Sequence, residues 1–283
     1  MLIPAAQVSA QRINEVLETR DSLIQGTRAD ASETGTVEFR DVSFHYPSSN
    51  KNVLEHITFQ ARQGETVAFI GATGSGKTTL VSLAARFYDA TEGQVLVDGV
   101  DVKDYTFDAL YDRVGYMTQK AILFSGDVRG NVLFGASRGG DSDEDVRKAL
   151  DLAQASEFVD KMPGGIHAPI AEGGTNVSGG QKQRLSIARA LARRPEILVF
   201  DDSFSALDYR TDAKLRAGLD RELKDTTRLI VAQRIGTIRD ADKIIVLDEG
   251  KMVGMGTHDE LMRTCPVYQE IARSQLSQEE LGA

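Results

Sequence analysis

The sequence predicts an α/β fold in which helices cover both faces of a parallel sheet, with a smaller antiparallel sheet beside it. Three observations carry this. Short apolar runs such as Thr66–Ile70 and Ile197–Phe200 recur between helical stretches, as expected for strands buried on both faces. Val37, Phe39 and Phe44 alternate with polar residues instead, the pattern of a half-buried antiparallel strand. A glycine-rich run, Gly71–Thr78 (GATGSGKT), directly follows one buried strand and precedes a helix. With 283 residues, 41% of them hydrophobic and 27% charged, the chain can form one large domain with a subdomain.

In chain order, Gln7–Thr19 reads as a short amphipathic helix with Val8, Ile13, Val16 and Leu17 mostly on one side. Gln25–Gly35 is small and polar, the composition of a linker, so that helix has nothing of its own chain to pack on. Strands follow from Val37 and at Thr66–Ile70, then a helix over Gly76–Tyr88 and strands at Val95–Val97 and Val114–Met117. Ser142–Gln154 is helical with an acidic start, and Gly179–Arg193 is a helix that ends before Pro195. Ile197–Phe200, the helix Thr211–Leu223 and the strand Leu229–Ala232 come next. Lys243–Leu247 and Met252–Met255 flank Asp248, Glu249 and Gly250 as a hairpin, and Thr257 with Glu260 has capping-box spacing for a last helix.

Composition excludes some function classes. The formal net charge of -9 argues against sequence-independent binding of nucleic acid, which needs a surplus of Lys and Arg on some face. The one cysteine, Cys265, cannot form an internal disulfide or a cysteine-based zinc site, which is compatible with a reducing cytosol; it reads as a packing residue near a helix end. No apolar stretch approaches the roughly 20 residues that span a bilayer, and Met1–Ala6 lacks the basic start and apolar core of a signal peptide. If the chain works at a membrane, another segment must cross it.

Gly71–Thr78 fits G-x-x-x-x-G-K-[ST] in the strand-to-helix context that gives the motif its meaning. Gly71, Ala72, Thr73, Gly74, Ser75 and Gly76 can turn backbone N–H groups around a phosphate chain, and the helix start adds positive potential. Lys77 is placed for the β- and γ-phosphates of ATP, with Thr79 beside it, and Thr78 can offer its hydroxyl to Mg²⁺. Downstream, the apolar strand Ile197–Phe200 runs into Asp201, a carboxylate at the sheet edge that faces the ligand crevice and is the expected magnesium partner.

Between these lies Asn176–Arg184 (NVSGGQKQR). Ser178, Gly179, Gly180 and Gln181 ahead of a helix resemble the signature motif of ABC ATPases, and the resemblance covers about residues 37–272. It implies a P-loop (RecA-like) core, an antiparallel β subdomain and an α-helical subdomain at about residues 120–185. Residues 1–35 are then a connecting helix and linker from a membrane domain, and 36–283 the ATPase domain. It implies further that two such domains pair head-to-tail, so that Ser178 and Gly180 close over ATP held by the partner. Tyr46 matches the aromatic that stacks on adenine, Gln119 a magnesium contact that couples to the membrane domains, and Ser205–Asp208 a loop at the dimer interface. Ala171–Gly174 (AEGG) matches an exporter loop that touches the membrane domain.

Two positions depart from that pattern. The glutamate that polarises the attacking water is Asp202 here, and the later histidine is Gln233. Aspartate is one methylene shorter, which draws the carboxylate back by about 1 Å, a displacement that can cost roughly 10²-fold in rate. Glutamine donates a hydrogen bond but carries no proton charge. The resemblance therefore points to the weak-site subunit of a heterodimeric multidrug-type exporter at the cytoplasmic face of the cell membrane. Its partner would be a different subunit with an intact Glu and His, and its membrane half would precede Met1. A homodimeric slow ATPase and a regulatory ATP-binding module without turnover remain the alternatives. A translation-factor or DNA-repair ABC ATPase is disfavoured, because the chain has neither a second cassette nor a long coiled-coil insertion.

Overall fold

The computed structural model describes residues 2–18, 23–135 and 140–275. A first helix, α1 (Leu2–Leu17), precedes the strands β1 (Val37–Phe44), β2 (Leu54–Ala61) and β3 (Thr66–Ile70). After α2 (Lys77–Ala84) come β4 (Glu92–Val97), β5 (Val100–Asp101), α3 (Phe107–Arg113) and β6 (Val114–Met117). A mostly helical stretch follows: β7 (Gly126–Asp127), α4 (Val128–Val132), α5 (Asp143–Leu152), α6 (Ser156–Val159), β8 (Pro169–Ile170) and α7 (Gly179–Ala192). The chain then alternates β9 (Ile197–Asp201), α8 (Tyr209–Glu222), β10 (Thr227–Val231), α9 (Ile235–Ile238) and β11 (Lys243–Asp248). It closes with β12 (Lys251–Gly256), α10 (His258–Thr264) and α11 (Pro266–Gln275).

The main sheet has six strands in the order β12-β11-β3-β10-β9-β6, all parallel except the hairpin strand β12. A four-stranded antiparallel sheet, β2-β1-β4-β5, stands beside it. Strand alternation sends residues of the main sheet to two cores. Phe69, Ile197, Val199, Leu229 and Val231 pack with α2 and the antiparallel sheet. Ile70, Leu198, Phe200, Ile230 and Val246 pack with Leu185 and Ile187 of α7, Leu215 of α8 and Tyr268 of α11. Every central strand is thus buried on both sides, which is why its sequence reads as an unbroken apolar run.

Several boundaries differ from the sequence reading. The helix after the glycine-rich loop stops at Ala84 rather than Tyr88, because Arg86 takes a left-handed conformation (φ 52°) and turns inward. Its buried guanidinium bonds Asp89 and the Ile24 carbonyl. The first helix begins earlier than Gln7, and Thr19 lies outside the described residues. Val8, Ile13, Val16 and Leu17 are exposed. The last helix is two, broken where Cys265, buried, caps α10 ahead of Pro266. The capping box of Thr257 and Glu260 is formed.

The linker is not loose. Gly26 and Arg28 N–H donate to the carbonyls of Tyr105 and Asp104, and Thr106 N–H donates to the Arg28 carbonyl. Gly26 lies so close that a Cβ there would sit 2.1 Å from the Asp104 oxygen. Downstream, the Gly35 carbonyl accepts from the Thr227 hydroxyl, and Thr36 N–H donates to Asp98. Among the described residues no helix is long and apolar enough to cross a membrane.

Candidate functional site

The C-terminal ends of β3, β6, β9 and β10 deliver the chemistry-bearing residues to one edge of the sheet. From β3 the chain turns at Gly71 (φ 153°), where a Cβ would lie 2.0 Å from the Leu247 carbonyl oxygen; only glycine fits. Ala72, Thr73 and Gly74 are exposed, and the chain enters α2 at Lys77. The Lys77 side chain folds back over the loop, and its Nζ donates to the carbonyls of Gly71 and Ala72, both at 2.8 Å, and to Ser75 Oγ at 3.3 Å. Burial pushes its pKa down, partly offset by the carboxylates of Asp202 and Asp201. A largely buried ammonium held by neutral oxygens at a helix start is a fit for an incoming phosphate.

Thr78, one residue on, donates its hydroxyl to Asp201 Oδ1 at 2.8 Å. The other oxygen of Asp201, Oδ2, accepts from the hydroxyl of Tyr116 at 3.2 Å. Burial raises the pKa of Asp201, while Thr78, Tyr116 and Lys77 act against that rise. Hydroxyl and carboxylate oxygens are the donors that suit Mg²⁺, an ion bound through one or two protein groups together with substrate phosphates.

Asp202 follows immediately in the left-handed region (φ 50°), where aspartate is among the better tolerated residues. Its N–H donates to the Val231 carbonyl, which fixes it beside the end of β10. Asp202 Oδ2 accepts two amide donors, Gln233 Nε2 at 2.7 Å and Gln119 Nε2 at 3.1 Å. The two residues that depart from the family pattern are therefore bonded to each other. Burial raises the Asp202 pKa, and the two amides work against it by favouring the ionised form. Gln233 is itself braced: its carbonyl accepts from Gln275 Nε2 at the end of α11, and Gln275 Oε1 accepts from Ile235 N–H.

Tyr46 shares a hydrogen bond with Thr79 Oγ1 at 2.9 Å, and its ring meets Phe44 and Tyr88 edge-on. Its hydroxyl is thus tied to the helix that carries Lys77. Ser178 caps α7, accepting from Gln181 N–H, while Gln181 Oε1 accepts from Ser178 N–H. Ser178 and Gly179 are exposed, and a Cβ on Gly180 would lie 3.4 Å from the Ala206 carbonyl. In the loop Ser205–Asp208, Ser205 Oγ donates to the Asp202 carbonyl and Asp208 caps α8 through Thr211. Ala171–Gly174 forms a tight turn with Gly173 at φ 63°, exposed up to Gly173 and buried at Gly174.

One cluster thus unites Tyr46, Lys77, Thr78, Thr79, Gln119, Asp201, Asp202 and Gln233. The amide nitrogen of Gln119, a residue expected near the metal, donates to Asp202. Sequence reasoning missed Tyr116 and Gln275. Tyr116 was visible only as a strand residue, and its role depends on the pairing of β6 with β9.

The family model for ABC transporters matches residues 54–205, more than half the chain. An uncharacterized ABC transporter ATP-binding protein of Mycobacterium tuberculosis (strain H37Rv) is 46% identical over 280 residues, covering 97% of this chain and 47% of that protein. The ATP-dependent lipid A-core flippase of Escherichia coli K12 is 38% identical over 270 residues, covering 95% and 46%. A bacterial Atm1-family ABC exporter with ATP bound superposes with a TM-score of 0.87 at 32% identity, covering 97% and 48%. The chain spans about half the length of each of these relatives. The family match takes in the phosphate loop, Asp201 and the signature, so the chain belongs to the ABC transporter family, as an ATP-binding domain homologous to those of ABC exporters.

Proposed function

We propose that this domain drives an ABC exporter from the cytoplasmic face of the membrane by pairing head-to-tail with a second nucleotide-binding domain, and that its own hydrolytic site is weak. The observation that carries the second half is the hydrogen bond from Gln233 to Asp202. Lys77 and the loop Gly71–Gly76 would hold the phosphates, Tyr46 the adenine, and Thr78 and Asp201, with Gln119 near them, Mg²⁺. When bound, the ion offsets charge on the transferring phosphoryl group. Asp202 would be the acceptor for the attacking water. Its carboxylate is a methylene short of that task, and two amide donors on one oxygen occupy the lone pairs that would otherwise face the water. Gln233 is occupied by Asp202 and cannot carry a proton. The signature, with Ser178 and Gly179 exposed and Gly180 half-buried behind them, retains the helix-start donors that a partner's ATP would require.

Residues 1–35 fit a connecting segment from a transmembrane domain, which the half-length match to the relatives supports. The helical subdomain, about residues 120–185, would carry the signature toward the partner, a different subunit with intact Glu and His. The same Gln233–Asp202 bond favours a second reading, a regulatory ATP-binding module without turnover. Steady-state ATPase assays on the chain separate the two. Slow hydrolysis that rises by about 10²-fold in Asp202→Glu with Gln233→His supports the weak-site reading. A restored variant that stays inert favours the regulatory module, and fast hydrolysis by the unaltered chain at low protein concentration defeats both.

A further inference from the structure

We infer that Tyr116 is a positioning residue for the metal: its hydroxyl holds Asp201 Oδ2 so that Oδ1 stays turned toward Thr78 and the cation. The inference rests on the reading that Thr78 and Asp201 serve Mg²⁺. Tyr116 lies on the edge strand β6, paired in register with Val199 of β9. Side chains alternate along a strand, so Val199 and Asp201 share a face, and the tyrosine opposite Val199 lies on the same side, reaching forward to the carboxylate. The reach ends in the 3.2 Å bond to Oδ2, while Thr78 takes Oδ1 at 2.8 Å.

A carboxylate with each oxygen held by a separate hydroxyl cannot swing about its Cβ–Cγ bond. Asp201 is buried, so an oxygen released by Tyr116 would have no water to replace it. The donor is also neutral. An Arg or Lys at this place would hold Asp201 as firmly but would repel the cation, whereas a phenol orients the carboxylate and leaves its charge for the metal. The Tyr116 ring is set in turn by Phe87, whose ring centroid lies 4.8 Å away and which is itself 43% exposed.

The test is Tyr116→Phe, which keeps the ring and its packing on Phe87. ATP binding is titrated by calorimetry in EDTA and across a series of Mg²⁺ concentrations, and the Mn²⁺–ATP complex is read by electron paramagnetic resonance. The Mg²⁺ concentration that half-saturates the metal-dependent gain in affinity should rise by about tenfold. Affinity in EDTA should be unchanged, and the Mn²⁺ spectrum should broaden as the carboxylate gains freedom. Asp201→Asn, run alongside, should remove the metal-dependent gain. If Asp201→Asn behaves so and Tyr116→Phe matches the unaltered chain in both Mg²⁺ requirement and Mn²⁺ spectrum, the positioning role is wrong and the site reading stands. If Asp201→Asn also leaves the metal dependence intact, the site reading falls and takes the inference with it.

Discussion

Asp98, in the turn between β4 and β5, is fully buried and sits far along the chain from the residues it meets. Burial and a hydrogen bond with the Glu196 carboxyl push its pKa up to about 7, against the pull of Thr36 N–H and of the Arg113 guanidinium at 3.3 Å. In the unfolded chain the same group titrates near its ordinary value of 3.8. The folded state therefore holds a proton that the unfolded state has released across the window between those two values. Stability should fall as pH rises through that window, the sign opposite to that of a salt-bridged carboxylate. Asp98→Asn keeps the acceptor for Thr36 and cannot ionise, so its melting temperature should lose most of this pH dependence. Thermal unfolding of both chains from about pH 4 to about pH 8 measures it; a parallel fall in the variant would place the slope elsewhere. Nothing in the sequence disclosed this pair, because no local spacing relates Asp98 to Glu196. The candidate nucleotide residues were legible for the opposite reason: Lys77, Thr78, Asp201 and Ser178 sit in short runs whose spacing is dictated by a loop, a strand end and a helix start. Asp202 and Gln233 were legible as departures, yet their mutual bond needed the parallel pairing of β9 with β10.

At the scale of elements, strands buried on both faces were the easiest to read, and Thr66–Ile70 and Val114–Met117 stand as expected. The short pieces β5, β7, β8 and α4 carry too few residues to establish a period. The linker was misjudged in one respect. Its composition is that of a flexible chain, but composition does not report where backbone N–H groups find partners. Those of Gly26 and Arg28 pair with the turn before α3, and Arg86, beneath Phe107 at 5.4 Å, holds the Ile24 carbonyl. Arg86→Ala should free this strap. Amide hydrogen exchange at Gly26 and Arg28 should accelerate by at least tenfold while ATP affinity stays put. Global stability should drop by on the order of 2 kcal/mol from the unpaired Asp89 and Ile24 groups. Unchanged exchange at those two amides would show that the backbone pairs hold without the arginine.

Across the whole molecule, the parallel sheet gathers four strand ends at one edge, while the signature stands apart on α7 with its first residues exposed. The α/β class, the parallel core and the antiparallel sheet followed from apolar periodicity; the arrangement of one against the other did not, since it is set by contacts distant in sequence. On the proposed head-to-tail pairing, the greatest catalytic contribution of this chain is to its partner. In the assembled transporter, Ser178→Ala with Gly180→Asp should remove most ATPase activity, on the order of 10²-fold, while this chain still binds ATP. Asp202→Ala in the same complex should do much less. Side-by-side turnover measurements decide it, and a larger loss from Asp202→Ala would make this chain's own site the working one. The brace between Gln275 and Gln233 has a practical consequence. The end of α11 is one side chain removed from the loop proposed to attend the phosphate, yet it lies far along the chain from Lys77. A fluorescent probe placed there should report on nucleotide state from outside the candidate site, so α11 offers a vantage on the proposed ATP cycle.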